Sequence, residues 1–377
     1  MSKKKNWKKR MLGILPVIIG AAGGLLIAEY IHSRPTGNET AAQQLLSLAA
    51  MLLAIFAAFF LQIIIHELGH LVFGLLTGYR YSSFRIAGFM WVKEDGHLKM
   101  KRLSIAGTGG QCLLIPPEPA SDGSTPFLLY HLGGPLANAI SALIFLALFL
   151  AFKSVMLLSA FFLLLAVCGF ASALLNGIPM NLSLVGNDGY NALLFAKNPH
   201  ALHAFSIQMK IVEQTSLGVR LKDMPEAWFT VPPPEKMTES ISAALGVFAC
   251  NRLLDAQLFE QADALMAELL EQSALAGIHR SLLLCDRIYC ALIGDRRQEI
   301  LDIMEQKEQK KFMKAMKKFP TVLRTAYAYA LLADNTPEKA AKIMADFVRI
   351  APTYPYPSDI AGEYELIDLA TQAAAKP

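Results

Sequence analysis

An H-E-x-x-H motif occupies residues 66–70, inside an apolar run that extends over residues 45–76. A charged side chain at the centre of a membrane helix costs about 2.5–3.5 kcal/mol on insertion scales, so ionisable groups placed there indicate a function. Residues four apart share one helix face, which allows His66 and His70 to bind one metal ion. Glu67 lies one position further round, within reach of a metal-bound water as a general base. The motif also occurs by chance on soluble helices, but this apolar setting favours a metal site.

The composition differs between the two halves of the chain. The 377 residues are 54% hydrophobic, with a mean hydropathy of +0.38. The first half resembles a membrane protein, and the composition becomes that of a soluble protein from about Lys197. The five cysteines are scattered without a CxxC pair, which argues against a disulfide framework and a cysteine zinc site. The net charge of +4 and the lack of a basic, aromatic-interleaved stripe exclude nucleic acid as the expected partner.

Four segments are long and apolar enough to cross a bilayer, which needs about 20 residues. They are 11–31, 45–78, about 127–152 and about 155–175. Lys153 and Ser154 form a very short turn, so the last two segments predict a helical hairpin. The first segment follows a basic stretch over residues 3–10 and could be a signal peptide. Its length and the lack of a clear cleavage site favour a retained helix.

The distribution of Lys and Arg predicts the orientation of these spans. The N-terminal tail and the loop 79–126 each carry six such residues, whereas the loop 33–44 carries Arg34 and the hairpin turn carries Lys153. The two basic segments are therefore expected in the cytoplasm. This orientation places the H-E-x-x-H end of its helix near the cytoplasmic face and everything after Asn176 in the cytoplasm. We expect a multi-pass protein of a bacterial cell membrane.

The loop 79–126 has the composition of a small sheet rather than of a helix. Residues 83–92 are of β type, 94–96 are typical of a turn, 97–105 partly alternate, and 111–115 could form another strand. An exposed edge of this sheet could pair with an extended peptide. The alternative is that the hairpin only caps the helices, and the sequence leaves both open.

The C-terminal part is predicted to be helical. Three prolines at 232–234 indicate a linker. Residues 243–272 and 323–352 resemble tetratricopeptide units, with turns at 258–262 and 335–340, and a degenerate unit could lie around 281–308. The period is irregular, and an unrelated helical bundle is the alternative.

A catalytic zinc ion usually has three protein ligands and one open position. An acidic residue near the end of a membrane helix is the natural third ligand. Asp188 follows the fourth span and is the first acidic residue after Asp122. Gly186 and Gly189 flank it and would allow a tight turn. Asn-Asp-Gly is also an ordinary turn sequence, so Asp188 is a candidate through its combination with the motif at 66–70.

Three motifs in this order resemble the site-2 protease family of intramembrane zinc metalloproteases. They are the H-E-x-x-H helix, the Gly-Pro-x-x-Asn stretch at 134–138, and Asn-x-x-Pro at 176–179 leading to Asp-Gly at 188–189. The resemblance covers about residues 45–195. The chain departs from the family pattern in a longer spacer before Asp188 and in an extra preceding helix. The sequence shows no PDZ-like insert between the helices, and a helical region stands where a CBS-like domain would follow.

The resemblance implies a role for each matching residue. His66, His70 and Asp188 would bind Zn²⁺, and Glu67 would activate the zinc-bound water. Asn138 and Asn176 would lie near the substrate, where they could bind its backbone or stabilise the developing oxyanion.

These observations predict a mainly α-helical protein. It comprises a polytopic membrane bundle of about four spans with a small cytoplasmic β-hairpin region, and a C-terminal repeat-like soluble domain. The expected boundaries are 1–32 for the tail and first helix, 33–195 for the protease core, 196–236 for the linker and 237–377 for the helical domain.

The expected function is hydrolysis of a peptide bond in or near a transmembrane segment of a membrane protein or a signal-peptide remnant. The bilayer is the expected environment, and a regulator could bind the helical domain. The oligomeric state is not predicted. The alternative is a catalytically silent membrane-anchored scaffold, against which the intact Glu67 argues. A metal transporter is disfavoured because the third and fourth spans lack a line of polar ligands.

Overall fold

The computed structural model describes residues 40–375, apart from 95, 106–107, 120, 122–124, 182–185, 238, 273–274, 276 and 295–296. These residues are mainly helical, as predicted, and contain thirteen α-helices and four strands. The predicted first span at 11–31 lies outside the described residues. The chain divides into two compact units: Met1–Tyr81 with Gly109–Lys197, and Ser82–Thr108 with Asn198–Pro377. We call them unit 1 and unit 2.

The described residues of unit 1 include three long apolar helices: α1 (Ala41–Leu76), α2 (Leu128–Ala151) and α3 (Met156–Gly177). By length and composition each could cross a membrane, which agrees with three of the predicted spans. Helix α1 begins at a capping box, in which Thr40 Oγ1 accepts from the Gln43 amide and the Gln43 side chain accepts from the Thr40 amide. Many apolar side chains of these helices are not covered by the rest of the described chain, as expected of a helix bundle that faces lipid.

Unit 1 also contains two shorter elements among its described residues. The short helix α4 (Asp188–Lys197) follows α3, and strand β4 (Gly110–Ile115) precedes α2. Residues 152–155 form the turn between α2 and α3, in agreement with the predicted hairpin.

Close backbone contact between α1 and α2 depends on two glycines. A Cβ atom added to Gly133 would lie 2.6 Å from the carbonyl oxygen of Gly69, and one added to Gly69 would lie 2.3 Å from the carbonyl oxygen of Gly133. Neither carbonyl can move without disturbing its own helix. Small residues at such crossings are what allow membrane helices to approach closely.

The loop after α1 forms strands β1 (Arg80–Ile86), β2 (Phe89–Glu94) and β3 (His97–Arg102), as the β-type composition predicted. Strands β2 and β3 are antiparallel, with Trp91 opposite Met100. Strands β1 and β2 are antiparallel, with Phe84 opposite Trp91. Within the stretch 83–92 the chain turns at Ala87, whose φ of 52° follows the end of β1, and β2 begins at Phe89.

The rest of unit 2 is helical. Its α-helices are α5 (Pro199–Ser216), α6 (Ser240–Asp255), α7 (Phe259–Leu270), α8 (Gly277–Ile293), α9 (Gln298–Leu301), α10 (Lys307–Ala315), α11 (Pro320–Leu332), α12 (Pro337–Ile350) and α13 (Pro357–Ala375). Short 3-10 turns occupy part of the segment between α5 and α6, where three prolines predicted a linker.

Helices α6 and α7, and α11 and α12, form adjacent pairs at the two stretches that resembled tetratricopeptide units. The two turns are alike in one respect, since Gln257 and Asn335 both have positive φ values, of 59° and 50°. The repeat assignment and the predicted domain boundaries stay predictions.

We expect Gly133→Ala to lower the free energy of unfolding by about 1–3 kcal/mol, the usual cost of overpacking. The added methyl group meets backbone rather than a flexible side chain. Thermal unfolding in detergent, with a chelator present to remove metal effects, measures the change. Gly88→Ala is the control because no atom lies within 4 Å of its added Cβ. Equal unfolding temperatures for the two variants would contradict the packing argument.

Candidate metal centre

Three side chains from two separate helices of unit 1 converge at one point. The Nε2 atoms of His66 and His70 lie 3.1 Å apart on α1. Asp188, the first residue of α4, places its Oδ2 atom 3.0 Å from His66 Nε2 and 3.5 Å from His70 Nε2. Among the described residues these three form the only group of His, Cys, Asp or Glu whose ligand atoms could hold a metal ion. The structure therefore brings together the three predicted ligands.

The other ring nitrogen of each histidine is already engaged. His70 Nδ1–H donates to the carbonyl oxygen of Tyr130 over 2.7 Å. His66 Nδ1 lies 2.7 Å from Asn138 Oδ1, and the Asn138 amide nitrogen donates to the backbone carbonyl of Gln62, so His66 is the donor in its pair. Both imidazoles thus keep their Nε2 lone pair for the centre. This is the arrangement by which hydrogen bonds orient metal-binding histidines.

Asp188 also fits a cation. Its Oδ2 atom is buried, with no hydrogen bond of acceptable geometry among the described residues. Asp188 is therefore a carboxylate available to a positive charge. One carboxylate and two neutral imidazoles form a donor set suited to zinc.

The sequence places Asp188 at this point through Asn187 and Gly189. The side-chain oxygen of Asn187 accepts a hydrogen bond from the backbone amide of Tyr190 and so caps α4. Its side-chain nitrogen donates to the carbonyl oxygens of Leu175 and Ile178 at the end of α3. A Cβ atom on Gly189 would lie 2.1 Å from the carbonyl oxygen of Gly177. The glycine was expected to serve a tight turn. It instead lies in the first turn of α4, where it allows that helix to contact the end of α3.

Glycine also makes room around the histidines and the glutamate. A Cβ atom on Gly134 would lie 2.6 Å from the Nε2 atoms of both His66 and His70. Glu67 is buried, and a Cβ atom on Gly110 would lie 2.6 Å from its Oε1 atom. The start of β4 therefore runs directly beside the carboxylate of Glu67.

The two asparagines expected near a substrate are placed differently. Asn138 is fully buried, and its amide is occupied by His66 on one side and by Gln62 on the other. Asn176 donates to the carbonyl oxygen of Ser172 within its own helix. Neither contact tests the substrate role, which stays a prediction for both.

A buried residue that the sequence did not single out supports this arrangement. Gln62 is fully buried on α1, accepts from Asn138 through Oε1 at 2.8 Å and donates to the carbonyl oxygen of Leu165 on α3 at 3.0 Å. His66, Asn138 and Gln62 thus form one hydrogen-bonded series between α1 and α2, and Gln62 extends it to Leu165 on α3. A glutamine four residues before His66 in an apolar helix was the available signal.

The fold and the centre together define a class, that of membrane-embedded proteins with an H-E-x-x-H metal site. The family model of Peptidase family M50 matches residues 54–327, and the chain belongs to that family. The family points to a metallopeptidase embedded in the membrane, and its members are zinc metalloproteases. No curated protein and no solved structure matches the chain.

Replacing Gln62 with leucine should weaken zinc binding by about 10–100-fold, the usual cost of removing a partner of a metal-ligand residue. The shape is nearly kept, but the hydrogen bond that holds Asn138 against His66 is lost. Zinc affinity, measured by competition with a chromogenic chelator, tests this. Gln44→Leu, at an exposed position of the same helix, is the control. An affinity equal to that of the control would show that the series does not orient His66.

Proposed function

We propose that this protein is an intramembrane zinc endopeptidase that cleaves a peptide bond in or near a transmembrane segment of another protein. The observation that carries the proposal is the convergence of His66, His70 and Asp188 beside Glu67 in an apolar helix bundle. Membership of Peptidase family M50 supports intramembrane metalloprotease activity. The alternative of a catalytically silent scaffold is not favoured.

His66, His70 and Asp188 would hold the zinc ion, with the tautomers set by Asn138 and the Tyr130 carbonyl. When bound, zinc supplies a Lewis acid that lowers the pKa of a coordinated water and polarises a carbonyl group. Glu67 would take the proton from the attacking water and pass it to the leaving amine nitrogen. Its place beside Gly110 keeps the carboxylate at the start of β4.

A substrate helix must unwind before cleavage because its peptide bonds are otherwise shielded. We propose that the extended segment pairs with strand β4. The contact between Gly110 and Glu67 supports this, since a strand paired there would run past the catalytic carboxylate. Gly or Pro residues in the substrate would lower the cost of unwinding.

The remaining expectations from the sequence become proposals of the same kind. The excess of Lys and Arg in the tail and in the loop 79–126 supports a cytoplasmic N-terminus and a cytoplasmic C-terminal helical region. The adjacent helix pairs α6–α7 and α11–α12 support a repeat-like arrangement that could bind a regulator.

Glu67→Gln should retain zinc and lose activity by at least about a hundredfold, the lower end of what a general base contributes. Co-expression with single-span reporters carrying Gly-Pro in the membrane segment, and with all-leucine counterparts, provides the assay. Asp188→Ala should lower the zinc content of the purified protein. If the wild type cleaves no reporter, or if Glu67→Gln cleaves as well as the wild type, the proposed function is wrong. An unchanged zinc content in Asp188→Ala would show that Asp188 is not the third zinc ligand.

Gly110→Ala should reduce cleavage of the same reporters while zinc content stays unchanged, because the methyl group displaces Glu67 and not a ligand. Gly109→Ala is the matched control, since its Cβ meets only the mobile end of Ile63, at 3.0 Å. Equal activity of the two variants would contradict the placement of Glu67 against β4.

A further inference from the structure

Unit 2 contains a cavity of about 300 Å³ that is formed entirely by its helical region. Helices α5, α6, α8, α11 and α13 contribute to its walls. Most of the wall is apolar, with Phe248 and Leu366 among its side chains, and a few polar groups converge in it. Ligand sites in proteins have this character and begin at about this volume.

The cavity has a surplus of negative charge. Four carboxylates line it, and they face two guanidinium groups, one in the wall and one behind it: Asp255, Asp286, Asp359 and Glu363 against Arg324 and Arg220. Arg324 pairs with Asp286 and Glu363, and Arg220 pairs with Asp255. Asp359 is therefore the one carboxylate of the four for which no arginine partner is found among the described residues. His279 also lines the cavity, but burial lowers its pKa, so it adds no positive charge at neutral pH.

Arg324 is the central polar group of the cavity wall, with a relative exposure of only 1%. Its Nη2 atom donates to Asp286, and its Nε atom forms an ion pair with Glu363 Oε2 at 3.1 Å. The guanidinium lies over the ring of Tyr289, 4.4 Å from the centroid. The third nitrogen, Nη1, is buried without a hydrogen-bond partner among the described residues. A ligand that offers an acceptor oxygen would satisfy it.

The raised pKa values of two carboxyl groups also indicate that positive charge is lacking around them. Burial, followed by the charge of Glu363 one turn further along α13, raises the pKa of Asp359 to about 7. Burial raises the pKa of Asp286 to about 6, despite the contact with Arg324. A cation placed beside Asp359 would favour the charged form of that carboxyl group.

We propose that this cavity binds a basic residue of a peptide, with its cationic head between Asp359 and Glu363 and its carbonyl oxygen on Arg324 Nη1. The apolar wall fits the aliphatic stem of a lysine or arginine side chain. A metal ion fits less well, since these carboxylates do not form a converging group of three ligand atoms among the described residues. This inference is independent of the proposed protease function.

Calorimetric titration of the full-length protein in detergent tests the proposal. The probes are acetyl-Ala-Ala-Lys-Ala-Ala-amide, the same peptide with norleucine in place of lysine, and n-butylamine. The lysine peptide should bind at least about tenfold more tightly than either comparison probe, as expected for one charge-assisted hydrogen bond. Asp359→Asn and Glu363→Gln should each weaken it by about the same factor.

Asp368→Asn, at an exposed position of the same helix α13, is the matched control and should bind the lysine peptide like the wild type. Equal binding of the norleucine peptide would overturn the charge argument. Butylamine binding as tightly as the lysine peptide would overturn the assignment to a peptide. Binding unaffected by Asp359→Asn and Glu363→Gln would overturn the location, and no binding of any probe would overturn the proposal as a whole.

Unfolding without peptide is a second measurement. The folded pKa of Asp359, about 7, exceeds its ordinary value of 3.8, so the stability it contributes is complete below about pH 3.8 and is lost as the pH rises through 7. Asp359→Asn should therefore raise the unfolding temperature at pH 8 and change it little at pH 4, whereas a pH-independent effect would contradict an uncompensated carboxylate. The groups that face Asp359 are Glu363, Asp255, Arg220, Ser358, Tyr354 and Tyr356.

Discussion

The metal centre depends on two hydrogen bonds that leave both histidine Nε2 atoms facing the same point. His66 and His70 share a face of α1 by helix geometry alone, but a shared face does not choose which ring nitrogen points inward. Asn138 and the carbonyl of Tyr130 make that choice from α2. In an apolar bundle the donors have few competing partners, so each bond orients its ring more strongly than it would in water.

That choice in turn requires the helices to be unusually close. Asn138 can reach His66 only because Gly69 and Gly133 let α1 and α2 touch through their backbones. Gly134 then leaves open the space into which the imidazoles point, and Gly189 brings Asp188 to the same space from α4. The metal centre therefore depends on these glycines, which leave space for it, as much as on the ligands themselves. Glycine-rich stretches in these helices mark where polar groups are to meet.

The sequence was sufficient to predict the local part of this arrangement. It was not sufficient for the part that depends on contacts between residues far apart in the chain. Helix periodicity in an apolar run was sufficient for His66, Glu67 and His70, and hydropathy for the three described spans. Asp188 could not be predicted from periodicity, and it was a candidate because it is the first acidic residue after Asp122 and follows the fourth span. The role of Gln62 could not be read at all, since its partners Asn138 and Leu165 lie 76 and 103 residues away. The turn at Ala87 was hidden for a different reason, because a positive φ at alanine is not a preference of its side chain.

Both units bury ionisable groups, and in each case the burial is hard to explain by stability alone. A buried ion pair often stabilises the folded state no more than an apolar replacement would. A buried charge or hydrogen-bond donor without a partner destabilises the folded state. In unit 1 the surplus is the Asp188 oxygen without a hydrogen bond, which a cation offsets. In unit 2 it is Asp359, together with the unpaired nitrogen of Arg324, which a cation with a neighbouring carbonyl offsets. The same reasoning that assigns the metal to one unit therefore assigns a basic peptide residue to the other.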